Sequence, residues 1–174
     1  MIITPCKQPA GYPKGKPLIV DPVYAELIIP LFYTGWPWLH PFLCSCTFAR
    51  TVLQSMEDIL LSVGCGLDHL GCYVARKARD RHGNELVPER WSNHAYGEAM
   101  DWRGITRNGI AITVNEMKEK ETALLDKVIN GVTEAITKTG RKPEIVDEGG
   151  WIHVGLWPRK EMGVTWKQKT SLLS

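Results

Sequence analysis

The chain has 174 residues, 44% hydrophobic and 23% charged, which suits one globular domain with its own core and excludes a disordered chain. The formal net charge of +2, with no segment joining dense Lys/Arg to interleaved aromatics, argues against a nucleic-acid binder. The longest apolar stretch, about residues 24 to 43, is broken by Glu26, Pro30, Gly35, Pro37, His40 and Pro41 and so fails as a transmembrane segment.

In chain order, Met1 to Pro22 is rich in Pro, Gly and Lys and reads as an irregular arm before a single domain over 23–174. Its first residues have no basic stretch leading into an apolar one, so no secretory signal is expected. Val23 to Leu43 carries Phe32, Tyr33, Trp36, Trp38 and Phe42 among prolines; a short helix, a packed loop and a hydrophobic flap all fit. Phe48 to Val63 predicts a helix. Phe48, Val52, Met56, Ile59, Leu60 and Val63 recur every three or four residues, with Arg50, Gln54, Glu57 and Asp58 opposite and Gly64 as the stop. A second helix is predicted over Val114 to Lys138, weakened by Gly131 and ended by Gly140. The five cysteines cannot all pair within one chain. Cys44, Cys65 and Cys72 read as small buried apolar residues in a reducing compartment, with a Cys65–Cys72 disulfide as the alternative.

The chemistry concentrates in two segments. Ser92-Asn93-His94-Ala95-Tyr96-Gly97-Glu98-Ala99-Met100-Asp101 and Trp151-Ile152-His153-Val154 supply two imidazoles and one carboxylate. Zinc takes these donors readily, and a catalytic zinc site uses three protein ligands with a fourth position for water. Both segments read as strands: Ala99 and Asp101 would share one face, and His153 would point into a cleft while Ile152 and Val154 enter the core. Single buried histidines are more often satisfied core residues, which is the expectation for His40, His69 and His82.

The pattern S-x-H-x-x-G-x-A-x-D, followed by W-x-H, resembles the zinc peptidase family of D-alanyl-D-alanine carboxypeptidases, D,D-dipeptidases and phage L-alanyl-D-glutamate endopeptidases; extensin-like C-terminal domains share a related version. Ser92, His94, Gly97, Ala99, Asp101, Trp151 and His153 occupy the fixed positions. Tyr73-Val74-Ala75-Arg76 matches a Y-x-x-R found shortly before the metal motif in several relatives. The resemblance spans about residues 48 to 157. It implies an α+β fold, a small antiparallel sheet carrying the zinc site with flanking helices, as in Hedgehog and D-Ala-D-Ala peptidases. It also implies Zn2+ held by His94, Asp101 and His153. Gly97 would let the backbone turn or approach closely, and Ser92 would orient the site by a hydrogen bond. Arg76 would bind a substrate carboxylate or help stabilise the oxyanion, and Trp151 and Trp102 would wall the cleft.

One departure from the family matters. Many members place the catalytic acid three residues before the last histidine, and that position is Gly150 here. Glu148 is therefore the first candidate for general base and acid and Asp147 the second, although Asp-Glu-Gly-Gly is also ordinary turn chemistry. The implied activity is peptide-bond hydrolysis in peptidoglycan stem peptides by a phage or prophage lysin. Such a lysin would be made in the host cytoplasm and would reach the wall after release or as a virion component, with phage release or virion proteins as partners. A D,D-carboxypeptidase or dipeptidase acting on D-Ala termini is the rival within enzymes. A structural phage protein that binds metal without turnover is the rival outside them.

Overall fold

A computed structural model describes residues 1–8, 19–37, 41–79, 82–87 and 91–157. Trp38, His40 and residues 9–18 of the expected arm lie outside the described residues. The architecture is α+β, with two sheets and a set of helices.

The first departure from expectation is at the start of the chain. Ile2–Pro5 is not irregular; it forms β1, pairing antiparallel with β2 (Pro22–Glu26), which in turn pairs with β5 (Phe42–Ser45). Val23 and Ala25 alternate inward from β2, so a short strand binds through its buried face despite the surrounding prolines. The segment left open in sequence resolves into β2, β3 (Leu31–Tyr33), β4 (Trp36–Pro37) and β5.

The larger sheet has seven strands, in the order β4-β3-β6-β7-β10-β9 with β8 also on β7. Here β6 is Gly66–Gly71, β7 Ala99–Arg107, β8 Ile110–Thr113, β9 Pro143–Asp147 and β10 Ile152–Leu156. It is not purely antiparallel: β3 and β6 run parallel. The chain between them passes through β5 and a helix, the long crossover that parallel pairing requires. The long strand β7 has β6 on one side. On the other side β10 borders its first half and β8 its second.

The first predicted helix begins two residues early, because Ser45 accepts from the Phe48 N–H and caps it. It runs as α1 (Cys46–Phe48), a π-helical segment Ala49–Leu53 and α2 (Gln54–Leu61). The second predicted helix is two: α3 (Val114–Lys120), opened by a Thr113–Glu116 capping box, and α4 (Thr122–Lys138). They meet at Glu121, whose backbone is not helical and whose carboxylate receives Arg107 Nη1 at 2.6 Å. Gly131 has a packing reason: a Cβ there would lie 2.6 Å from Ile59 Cδ1, so the residue lets α4 approach α2. Helix residues Phe48, Val52, Met56, Leu60, Val128, Val132 and Ile136 share one core with Met100, Trp102, Ile152 and Val154. Trp102 is thus fully buried in the core, on the strand face opposite Asp101, and walls no cleft. All five cysteines are free, with Cys44, Cys65 and Cys72 buried, so the Cys65–Cys72 bridge is not formed. No helix of the described residues is long and apolar enough to cross a membrane.

Candidate metal centre

The registers of β7, β10 and β9 build the site. Asp101 on β7 lies opposite His153 on β10, and His153 lies opposite Val146 on β9. Directly opposite residues in an antiparallel pair share a sheet face, so one face carries Asp101 and His153 while Trp102 and Ile152 enter the core. His94 arrives from a separate element. It sits in a 3-10 helix, Asn93–Tyr96, not in a strand as its motif suggested. Ser92 caps that helix, its hydroxyl accepting from the His94 N–H at 3.3 Å. Gly97 ends it with φ of +63°, and a Cβ there would fall 2.9 Å from Cys44 Cα. Left-handed backbone and close approach to β5 coincide at one residue, which only glycine satisfies easily.

Three atoms able to ligate a metal converge. His94 Nε2 lies 3.3 Å from His153 Nδ1 and 3.2 Å from Asp101 Oδ1, and His153 Nδ1 lies 3.1 Å from Asp101 Oδ1. Two ligands each about 2.0–2.2 Å from one tetrahedral ion stand roughly 3.3–3.6 Å apart, so the triangle is within a few tenths of an ångström of the size that a single small ion needs. The far side of each ring agrees. His94 Nδ1 is 2.7 Å from the Cys72 carbonyl, which fixes a proton there and leaves Nε2 as a lone pair. His153 Nε2 faces Glu144 Oε2 at 3.4 Å, and the Asn93 side-chain amide donates to that same oxygen. Glu144 was not singled out by its position in sequence. Its role depends on the β9–β10 register, in which it lies opposite Gly155 and beside His153. Alternation within β9 was the available signal.

The electrostatics fit a site for a cation. Burial works against a charged His153, but hydrogen bonds to Asp101 and Glu144 outweigh it and lift the imidazole to about 9. Burial also opposes the Asp101 charge, yet His153 and His94 hold its carboxyl well below the usual carboxylate range. His94, Asp101 and His153 can therefore hold a metal ion.

The remaining candidates are more dispersed. Asp147 faces α3, where Lys118 Nζ binds it at 2.5 Å and the Gly149 N–H donates to it at 2.9 Å. It lies opposite Ile152, on the core side of the sheet, away from the triad. Glu148 is exposed in the turn between β9 and β10, its N–H donating to the Trp151 carbonyl at 3.0 Å. It lies one residue beyond the end of β9, two positions on from Val146, the residue opposite His153. Trp151 is half-buried, and its indole N–H has no partner among the described residues. Arg76 is exposed; its carbonyl accepts from the Ser92 N–H, which ties this loop to the start of the His94 helix. His82 is exposed, and His69 is buried without a hydrogen-bond partner among the described residues, so neither is a satisfied core histidine. No protein-family model, curated protein or solved structure matches the chain.

Proposed function

We propose that the protein is a zinc-dependent peptidase acting on peptidoglycan stem peptides, of the kind phages use as lysins. The observation that carries this reading is the triangle of His94 Nε2, Asp101 Oδ1 and His153 Nδ1, with sides of 3.1–3.3 Å. Two nitrogens and one carboxylate oxygen form a zinc-type donor set and leave a coordination position for water. When bound there, zinc supplies an activated water at neutral pH and polarises a carbonyl.

The chain's own groups do the rest. The Cys72 carbonyl and Glu144 fix the tautomers of the two rings. Glu148, in the turn between β9 and β10, takes a proton from the attacking water and returns it to the leaving amine. Arg76 receives a substrate carboxylate by two parallel hydrogen bonds. Trp151, opposite Glu148, offers the exposed part of its apolar face to the peptide.

Zymography on purified peptidoglycan, with and without chelator, tests this. Clearing is expected only with metal present. Glu148→Gln is expected to lose at least 100-fold in activity while keeping stoichiometric zinc. Stoichiometric zinc without turnover on any muropeptide would leave a metal-binding protein and end the peptidase reading.

A further inference from the structure

A second feature adjoins the metal centre. Beside β6 lies an open cavity of about 200 Å³, lined in part by Tyr33, Pro41, Phe42, Leu43 and Tyr73. Gly71 and Cys72, also in the lining, connect it to the triad. Gly71 pairs with Asp101, and the Cys72 carbonyl holds His94 Nδ1 at 2.7 Å. The strands carrying Asp101 and Tyr33, β7 and β3, flank β6 and so run two strand spacings apart, about 10 Å.

The aromatic side chains here form two layers. His69 stands behind, with both ring nitrogens enclosed. Its ring packs against Phe42 with centroids 4.6 Å apart and meets Tyr33 edge-on at 5.8 Å, so it braces the wall and offers no polar atom to an occupant. In front, Tyr33 is 38% exposed. Trp36 lies directly opposite Tyr33 across the β3–β4 hairpin, hence on the same face, and is 76% exposed. One exposed apolar side chain is ordinary, but two large aromatic ones on one face beside a cavity form a platform.

The chemistry of the wall selects the occupant. No Asp, Glu, Lys or Arg lines the cavity among the described residues, so neither a carboxylate nor an ammonium would find a counter-charge. A purely aliphatic group would suit Pro41, Phe42 and Leu43 but would leave the phenol groups that Tyr33 and Tyr73 bring to the same lining unmatched. A pyranose ring joins both properties. Its C–H-rich face stacks on an aromatic ring, and its hydroxyls exchange hydrogen bonds with phenols. The volume corresponds to about six or seven waters, room for one small ring rather than a drug-sized ligand, with Trp36 beside it for the next ring along.

We infer that this cavity, with Tyr33, Tyr73 and the neighbouring Trp36, is a saccharide-binding subsite that seats uncharged sugar rings beside the metal centre. Naming the sugar as the glycan of the wall rests on the peptidase reading; the subsite itself does not. An extended peptide covers about 3.3–3.6 Å per residue, so about three residues span the gap from the triad to the cavity, and a stem peptide still joined to its sugar can occupy both. Two sources share this chemistry, an N-acetylated amino sugar and a plain hexose.

The test is a titration of the zinc-loaded protein followed by the Trp36 indole N–H signal, assigned through Trp36→Phe. The probes are the trimer of N-acetylglucosamine and maltotriose, with N-acetyl-alanyl-alanine amide as the sugar-free control. A saturable shift of the Trp36 signal with a sugar, at least about ten-fold weaker for the peptide, is expected. Tighter binding of the amino-sugar trimer would identify the wall glycan as the source, and the reverse order a plain hexose polymer. Trp36→Ala removes an exposed side chain and should lose about ten-fold in saccharide affinity at unchanged zinc content, with Trp36→Phe recovering part of it. Absence of any Trp36 shift to tens of millimolar sugar, or an equal shift with the peptide, overturns the inference. So does a Trp36 signal that moves with protein concentration alone, which would mark a contact between two copies. The wild-type titration decides even if Trp36→Ala fails to fold. Peptidoglycan clearing without saccharide binding would remove the subsite and leave the peptidase. Saccharide binding without turnover on any muropeptide would do the reverse.

Discussion

His94 Nε2, Asp101 Oδ1 and His153 Nδ1 crowd one another at 3.1–3.3 Å, and such a cluster is costly unless a proton or a metal ion sits among them. Asp101→Asn removes the only formal negative charge among the three and is expected to abolish stoichiometric zinc binding, read by elemental analysis after dialysis. Full occupancy in that variant would show that the triad is not the site. Glu144 acts one step out. Its carboxylate takes the His153 Nε2 proton and so aims Nδ1 at the ion, and Asn93 holds that carboxylate. Partners of this kind are worth about 10–100-fold in metal affinity. Glu144→Gln should therefore weaken zinc by that factor in competition with a chelating dye, and lower the His153 value from about 9 in the metal-free protein. An unchanged affinity would reduce Glu144 to a bystander.

Elements deliver these residues with different tolerances. Gly97 closes the 3-10 helix with φ of +63° and passes so near β5 that a Cβ would lie 2.9 Å from Cys44 Cα. Gly64 has a similar φ of +67° and nothing within 4 Å of its would-be Cβ. Gly64→Ala thus reports left-handed strain alone, about 1 kcal/mol, while Gly97→Ala adds a backbone clash and should cost about 2–4 kcal/mol in urea unfolding. Equal costs would mean that β5 yields freely. The same contrast explains what was legible in the sequence. Phe48, Val52, Met56 and Leu60 announced a helix by spacing, and Trp151-Ile152-His153-Val154 announced a strand by alternation, because both patterns are local. The break at Glu121 depends on Arg107, and the early start of the first helix depends on the Ser45 cap. The strands β1 to β4 are short and lie among prolines; β1, β2 and β3 pair with strands far along the chain and β4 turns back onto β3, so pairing, not local periodicity, defines them. Glu144 escaped notice for a related reason. It meets His153 through a cross-strand register, whereas Glu148 and Asp147 drew attention by closeness in sequence; the register then sent Asp147 to Lys118.

At the scale of the whole molecule, the central strand β7 couples stability to metal, because one of its faces is core and the other carries Asp101. In the metal-free protein the cluster is held by a proton on His153. That imidazole is raised from 6.5 to about 9, so its contribution to stability is fully present below about pH 6.5 and is lost as pH rises through about 9. Asp101 is shifted the other way: its contribution is present above 3.8 and is lost only as pH falls through its much lower folded value. Between pH 6.5 and 9 the metal-free protein therefore loses the His153 contribution while that of Asp101 stays constant. A metal ion takes the place of the His153 proton, so it competes with that proton below about pH 9 and binds more tightly, by up to about ten-fold per unit, as pH rises. The gap in Tm between zinc-loaded and chelator-treated protein should widen from pH 6.5 to 9, since the metal strengthens its hold as the proton leaves. Scanning calorimetry at fixed free zinc across that range measures it. A gap that stays flat or narrows would show that the ion does not displace the His153 proton and so does not sit within the triangle.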